Sequence, residues 1–130
     1  MGNKKFLIDT NVAIEYLGEI LTENVLAKLD KIIDSKYHLS VINKIELLGF
    51  SGLSDKERKK FQELIDSSII INLTEDIVNL TIRIRKKYKI KLPDSIIAAS
   101  ALNNDLILIT RNTKDFDKIS GLNIIDPYNL

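Results

Sequence analysis

The stretch that restricts the fold most strongly is Phe6-Leu7-Ile8, with the polar residues Asp9-Thr10-Asn11 directly behind it. Three large apolar residues without alternation are typical of a short strand that is covered on both faces, as in a parallel sheet. An apolar pattern with helical spacing begins at Val12, so a helix is expected immediately after the strand. Asp9 is therefore predicted at the carboxyl edge of the sheet, where open α/β sheets collect their ligand sites.

The rest of the chain repeats this alternation of strand and helix. Apolar runs predict further strands at residues 37–40, 69–71, 106–109 and 122–125, with helical patterns between them. The run at 69–71 is expected to be buried, and the wholly apolar run at 106–109 is expected to be central. The pattern predicts an α/β fold, a three-layer α/β/α sandwich with a central parallel sheet of four to five strands. The length of 130 residues and the hydrophobic content of 45% fit a single domain, residues 1–130.

Composition excludes several kinds of site. The chain has no cysteine, which excludes disulfides, thiolate nucleophiles and cysteine metal sites, and its only histidine, His38, excludes a multi-histidine zinc site. A net charge of +1 argues against a globally basic nucleic-acid-binding surface. No apolar run approaches the ~20 residues needed to cross a bilayer, and no signal peptide fits the N-terminus, so a cytoplasmic protein without membrane contact is expected.

Glu46 lies at the margin of an apolar helix face. It shares that face with Ile42 and Phe50, which are four residues away on either side. A carboxylate is a poor choice there unless something positive meets it. The alternative is a rim glutamate whose side chain reaches water.

Asp94 shares a helix face with Ala98 and Ala101. Small residues let a helix approach the sheet closely, so Asp94 is predicted to point into a tight interface beside the strand ends. The alternative is that an acid just after Pro93 stabilises the helix dipole by ~0.3–1 kcal/mol.

The polar segment 110–117 follows the apolar run at 106–109, just as Asp9 follows the first strand. Burial of Phe116 would hold this loop down and direct Asp115 inward, whereas Asp117 is expected to lie outside. An ordinary turn with helix-capping aspartates is the alternative interpretation.

Several carboxylates at one sheet edge need a counter-charge. Two like charges 4 Å apart repel by ~1 kcal/mol in water and by more in a cleft. When only oxygen donors are available, Mg²⁺ or Mn²⁺ are the ions that fit. Two such ions can activate a water molecule and stabilise the leaving oxygen of a phosphodiester.

These acidic segments together resemble the PIN-domain nucleases, and most of all the VapC toxins of prokaryotic toxin–antitoxin pairs. The resemblance covers nearly the whole chain and implies an acidic pocket that holds Mg²⁺ or Mn²⁺ and cleaves RNA endonucleolytically. It also implies a homodimer and a small antitoxin protein whose tail blocks the pocket. The segments that carry it are, in order, Ile8-Asp9-Thr10-Asn11, Ile45-Glu46-Leu47, Pro93-Asp94-Ser95-Ile96-Ile97-Ala98-Ala99 and Thr110-Arg111-Asn112 with Asp115-Phe116.

The resemblance assigns catalytic and metal-binding roles by position. Asp9, Glu46 and Asp94 match the three core acids, and Asp115 is expected as an outer or water-mediated fourth ligand. Some members have an acid where this chain has Asn112, which leaves a second metal site open. Asp9 and Asp94 would anchor the first ion and Glu46 would position the attacking water, leaving a 5′-phosphate and a 3′-hydroxyl. The residues expected to support these acids are Thr10, Asn11, Thr110 and Asn112.

A basic stretch at 83–91 comes just before the helix that carries Asp94. Its six positive residues could hold RNA phosphates beside the acidic pocket. The alternative is a solvated helix end, because cations favour helix C-termini. The residues proposed to bind RNA are Arg83, Arg85, Lys86, Lys87, Lys89, Lys91 and Arg111.

Other functions predict different residues from those present. A phosphatase of the haloacid dehalogenase type would have a second Asp at the position of Asn11, and a receiver domain would have a phosphoacceptor Asp on a middle strand. A housekeeping PIN-type nuclease of RNA processing remains a possible alternative. So does a PIN-like module that binds RNA or protein without cleaving it, although the intact acids argue against that.

Overall fold

The computed structural model describes residues 4–130. Residues 1–3 lie outside the described part. They belong to the predicted domain and to the N-terminal segment that does not fit a signal peptide. Strands and helices alternate along the chain as expected. In chain order they are β1 Phe6–Ile8, α1 Thr10–Leu17, α2 Glu23–Ile33, β2 His38–Ser40, α3 Val41–Leu48, α4 Asp55–Ser67, β3 Ile69–Ile71, α5 Glu75–Lys87, α6 Leu92–Asn103, β4 Ile107–Ile109, α7 Thr113–Phe116, β5 Ile124–Ile125 and a final 3₁₀ turn, Pro127–Asn129.

The five strands form one parallel sheet in the order β3-β2-β1-β4-β5. The predicted parallel sheet is confirmed, and β4 is an interior strand paired with β1 and β5, although the middle strand is β1. The register aligns Ile8 with Ile109. The polar residues that follow these two strands, Asp9 and Thr110, therefore lie beside each other at one edge of the sheet.

The prediction that 69–71 is a buried strand is wrong for its first residue. Ile69 is 41% exposed and only Ile71 is buried. β3 is at the edge of the sheet and pairs with β2 alone, so less of its surface is covered. Three strands are shorter than predicted: β2 starts at His38, β4 starts at Ile107, and β5 is limited to Ile124–Ile125.

Two apolar cores lie on opposite faces of the sheet. Side chains alternate along a strand, so Leu7 and Leu108 pack with α5 and α6, whereas Ile8 and Ile109 pack with α1–α4. Helices therefore cover both faces, which confirms the predicted α/β/α layering. It also accounts for the apolar residues throughout β1 and β4, the two strands that helices cover on both faces. Within residues 4–130, no helix combines the length and the hydropathy needed to cross a membrane.

Candidate active site

Asp9 is the buried carboxylate at the centre of the sheet edge. It is the N-cap of α1, and its Oδ1 accepts a hydrogen bond of 2.9 Å from the Thr10 N–H. Its Oδ2 accepts a hydrogen bond of 2.8 Å from the Thr110 hydroxyl. Both oxygens are thus held by neighbouring strand ends, and the orientation of the carboxylate is fixed.

Glu46 reaches the same edge from α3. Its Oε1 accepts a hydrogen bond of 2.7 Å from the hydroxyl of Thr10, the residue that follows Asp9. Glu46 is otherwise exposed. It is a rim residue, as the alternative interpretation had it, but its carboxylate is tied to the β1 end.

Asp94 stands in the first turn of α6 and is partly buried. Ala98 and Ala101 on its helix face are completely buried, which agrees with the expected close approach of this helix. Asp94 also follows Pro93 at the start of the helix, so both of its predicted roles are compatible with its position.

The loop after β4 brings Asp115 to the site. The Asn112 side-chain amide donates to Asp115 Oδ2 at 3.0 Å, and the Asn112 N–H donates to the Thr110 hydroxyl at 3.0 Å. Phe116 is completely buried, as predicted, and Asp117 is exposed, as predicted. Asn112 therefore supports Asp115.

All four acids line a single cleft of about 510 Å³. They come from four separate segments of the chain, which the parallel topology gathers at one edge. Phe50, which is 48% exposed, forms part of the wall. The lining residues are Asp9, Thr10, Asn11, Glu46, Gly49, Phe50, Lys91, Pro93, Asp94, Asn112 and Asp115.

The electrostatics of the cleft agree with this convergence. Burial raises the pKa of Asp9 from 3.8 to about 6, and the charges of Asp94 and Glu46 add to the rise against the opposing hydrogen bonds from Thr110 and Thr10. Burial also raises the pKa of Asp94, and Glu46 and Asp115 add to that rise, while Lys91 opposes it. Charge repulsion therefore connects Asp9 with Asp94 and Glu46, and Asp94 with Glu46 and Asp115.

The donor set fits a hard divalent cation. The acidic, amide and hydroxyl groups of the cleft offer only oxygen as a ligand atom, which suits Mg²⁺ or Mn²⁺. Among residues 4–130, however, no three acidic or histidine side chains already stand in the arrangement of a metal site. Side-chain rotation of the less buried Glu46, Asp94 and Asp115 would be needed to bring three oxygens onto one ion.

The basic residues proposed to bind RNA are not all at the cleft. Among the seven, all within the described part of the chain, only Lys91 lines it. Arg83 lies in a separate depression between α5 and α6. Arg111 forms a 2.7 Å ion pair with Glu15, and its guanidinium lies 5.2 Å from the centre of the Tyr128 ring. The other four lie outside the cleft: Arg85, Lys86, Lys87 and Lys89.

Asn43 is a residue that the sequence analysis missed. It is completely buried, and its side-chain amide donates to the Thr10 hydroxyl at 2.8 Å. The available signal was Ser40 three residues before it, because a polar pair with this spacing is typical of a helix capping box. That pattern predicts a helix start and does not reveal the contact with Thr10.

Comparison with known proteins agrees with this arrangement. The family model described as "PIN domain" matches residues 6–122. The chain belongs to the PIN-domain family. Within that family, Toxin FitB and a chain of a toxin–antitoxin complex are relatives of this chain.

Three relatives show the extent of the similarity of this PIN-domain chain. Toxin FitB of Neisseria gonorrhoeae is 33% identical over 124 residues, covering 85% of this chain and 89% of FitB. A chain of a toxin–antitoxin complex from Klebsiella pneumoniae is 31% identical with a TM-score of 0.77, covering 97% of this chain and 100% of that one. DNA-bound VapBC from Salmonella typhimurium shares the fold, with a TM-score of 0.79 at 22% identity, over 96% of this chain and 99% of that one.

Proposed function

We propose that this PIN-domain chain is a cytoplasmic, Mg²⁺- or Mn²⁺-dependent endoribonuclease and the toxin of a toxin–antitoxin pair. The observation that carries the proposal is the convergence of Asp9, Glu46, Asp94 and Asp115 on one cleft. Membership of the PIN-domain family supports it, as does the similarity to FitB. We treat residues 1–130 as one functional unit.

The four acids are the proposed metal ligands, with Asp9 and Asp94 as the main pair and Glu46 and Asp115 beside them. When bound, such ions supply activation of a water molecule and neutralise charge on the phosphodiester. Asp9 is best suited to a fixed role, because hydrogen bonds from Thr10 and Thr110 hold both of its oxygens.

The remaining groups of the cleft orient water and RNA in this proposal. Glu46, on the exposed rim, accepts a hydrogen bond from the attacking water, whose in-line attack leaves a 5′-phosphate and a 3′-hydroxyl. Lys91 faces the backbone phosphates, and the exposed ring of Phe50 offers a surface on which an unpaired base can stack. Asn11 and Asn112 offer amide groups at the same wall.

Cleavage of a structured RNA in Mn²⁺ tests the catalytic proposal. Asp9→Asn should lower the rate by about 100-fold or more, since a direct ligand matters at least as much as its supporting groups. EDTA should abolish cleavage. Asp117→Asn, which removes an exposed acid outside the cleft, is the matched control and should leave the rate unchanged. Equal rates for the wild type and Asp9→Asn would exclude catalysis by this pocket.

The proposed partner is a small antitoxin, and the proposed assembly is a homodimer. The Klebsiella pneumoniae relative is part of a toxin–antitoxin complex, which supports the first proposal. Apolar surface for such contacts exists beside α1: Ile20 is 69% exposed, and Tyr16 and Leu17 line a groove with Leu26, while Leu21 belongs to the core. A small gene next to this one, whose co-expression relieves growth arrest by this chain, would distinguish a toxin from a housekeeping nuclease.

A further inference from the structure

A chain of hydrogen bonds connects the buried start of α3 to Glu46. The Ser40 N–H donates to Asn43 Oδ1 at 2.7 Å, and Asn43 Nδ2 donates to Thr10 Oγ1 at 2.8 Å. The Thr10 hydroxyl in turn donates to Glu46 Oε1 at 2.7 Å. Ser40 and Asn43 are completely buried and Thr10 is nearly so, which shields the inner part of the chain from water.

The direction of these hydrogen bonds is determined at the buried end of the chain of bonds, by the Ser40 N–H. A backbone N–H can only donate, so the group of Asn43 that faces Ser40 must be the carbonyl oxygen. The amide nitrogen of Asn43 therefore faces Thr10 and donates to it. Because the Thr10 hydroxyl has a single proton and already accepts from Asn43, that proton is available to Glu46.

We propose that Asn43 is a positioning residue for Glu46 and acts through Thr10. Its amide keeps the Thr10 hydroxyl turned toward Glu46, and this holds an otherwise exposed and flexible carboxylate in the cleft as an acceptor. The inference rests on the proposed function, in which Glu46 is a metal ligand. In this proposal α3 both carries Glu46 and, through Asn43, orients the Glu46 carboxylate.

Mn²⁺ binding to the full chain, measured by electron paramagnetic resonance titration, tests this role without depending on cleavage. Asn43→Ala should weaken binding by roughly 10-fold, the lower end of the range for groups that orient metal ligands. Asn43→Asp should weaken it more, because an acidic side chain still accepts from Ser40 but accepts from Thr10 as well. The Thr10 hydroxyl would then donate its proton to residue 43 and not to Glu46. The added negative charge alone would strengthen Mn²⁺ binding, so the two explanations predict opposite changes in affinity.

Ser40→Ala is the matched control for damage to the helix start. It removes the Ser40 Oγ that accepts from the Ile42 N–H, yet keeps the Ser40 N–H that holds Asn43. It should lower the melting temperature through loss of this cap and leave the Mn²⁺ affinity within about two-fold of the wild type. Thr10→Ser should retain the wild-type affinity, and Thr10→Val should lose it.

Three results would overturn the inference. One is that Asn43→Ala binds Mn²⁺ like Ser40→Ala, and another is that Thr10→Val binds like Thr10→Ser. The third is that Asn43→Ala still weakens binding when Glu46→Gln is already present, because the two effects should not add if one acts through the other. In each of these three cases, the proposed function still holds if the wild type binds Mn²⁺ tightly and Asp9→Asn abolishes that binding. No saturable Mn²⁺ binding by the wild type overturns both proposals.

Discussion

Asp9 is a carboxylate whose burial works against its charge. Its pKa in the folded chain is about 6, above the ordinary value of 3.8. The protonated form is thus favoured by folding, and the contribution of Asp9 to stability is fully present below about pH 3.8. It is lost as the pH rises through about 6, so at neutral pH the folded chain carries the cost of an ionised Asp9.

Asp9→Asn should therefore be more stable than the wild type at neutral pH in EDTA. The shift in pKa corresponds to at most about 3 kcal/mol of unfolding free energy at pH 7.5. The gain should vanish near pH 3.5, where the Asp9 carboxyl is largely protonated in both the folded and the unfolded chain. Urea unfolding at the two pH values measures it, with Asp117→Asn as the exposed control. A gain of the same size at both pH values would contradict this account of Asp9.

Thr110 is the buried hydroxyl that holds the other side of Asp9. Thr110→Val keeps the shape of the side chain but leaves Asp9 Oδ2 and the Asn112 N–H without this partner. We expect a loss of about 1–3 kcal/mol in unfolding free energy and a further rise in the pKa of Asp9. Urea unfolding and a carboxyl-group NMR titration measure these two effects. Thr110→Ser should behave like the wild type, and equal stability of Val and Ser variants would argue against the hydrogen bond.

Among the elements, those that could be predicted from the sequence are the ones whose environment is uniform. β1 and β4 are covered on both faces, so their residues are apolar throughout, and the polar residues behind them mark the sheet edge. The burial of β3 and the ends of β5 were harder to predict, because an edge strand has a neighbouring strand on one side only and its residues can still be apolar. α3 ends at Leu48, and Gly49 follows it as the C-cap.

The contacts of the cleft divide in the same way. Asp9 could be predicted at the sheet edge because it directly follows a buried strand. Local spacing left alternatives open for Glu46, Asp94 and Asp115, and only the resemblance to PIN-domain nucleases grouped them with Asp9. Asn43 could not be predicted, since its partner Thr10 is 33 residues away and the link is purely tertiary. The pairing of Arg111 with Glu15 is tertiary as well.

α6 is the element whose packing determines where Asp94 stands. Its residues 95–101 are almost completely buried, and the alanines leave little space for a larger side chain. Ala98→Leu should cost about 1–3 kcal/mol through overpacking and should also lower the cleavage rate by shifting the helix start. Asn103→Leu, at an exposed position of the same helix, is the control. Differential scanning calorimetry measures the stability and the RNA assay measures the rate. A destabilised variant with full activity would contradict the claim that the packing of α6 determines the position of Asp94.

Over the whole molecule, positive charge is distributed unevenly with respect to the cleft. The net charge is only +1, and Lys91 is the basic residue at the acidic wall. Lys91→Gln should weaken RNA binding and reduce the slope of log affinity against log salt by about 1, as expected for one phosphate contact. Arg83→Gln, which lies in a depression away from the cleft, should change neither. Titrations at several salt concentrations provide the measurement, in the Asp9→Asn background that is expected to slow cleavage. Equal slopes for both substitutions would refute the role of Lys91.

The middle strand of the sheet, β1, is also the first in chain order among residues 4–130. β1 pairs with β4, and Asp9 meets Thr110 across a sequence separation of 101 residues. During translation, residues 110–115 must therefore leave the ribosome before the acidic cleft can close. A product that stops before β4 lacks Thr110 and Asp115, so the cleft with four acids forms only after residue 115 has been made.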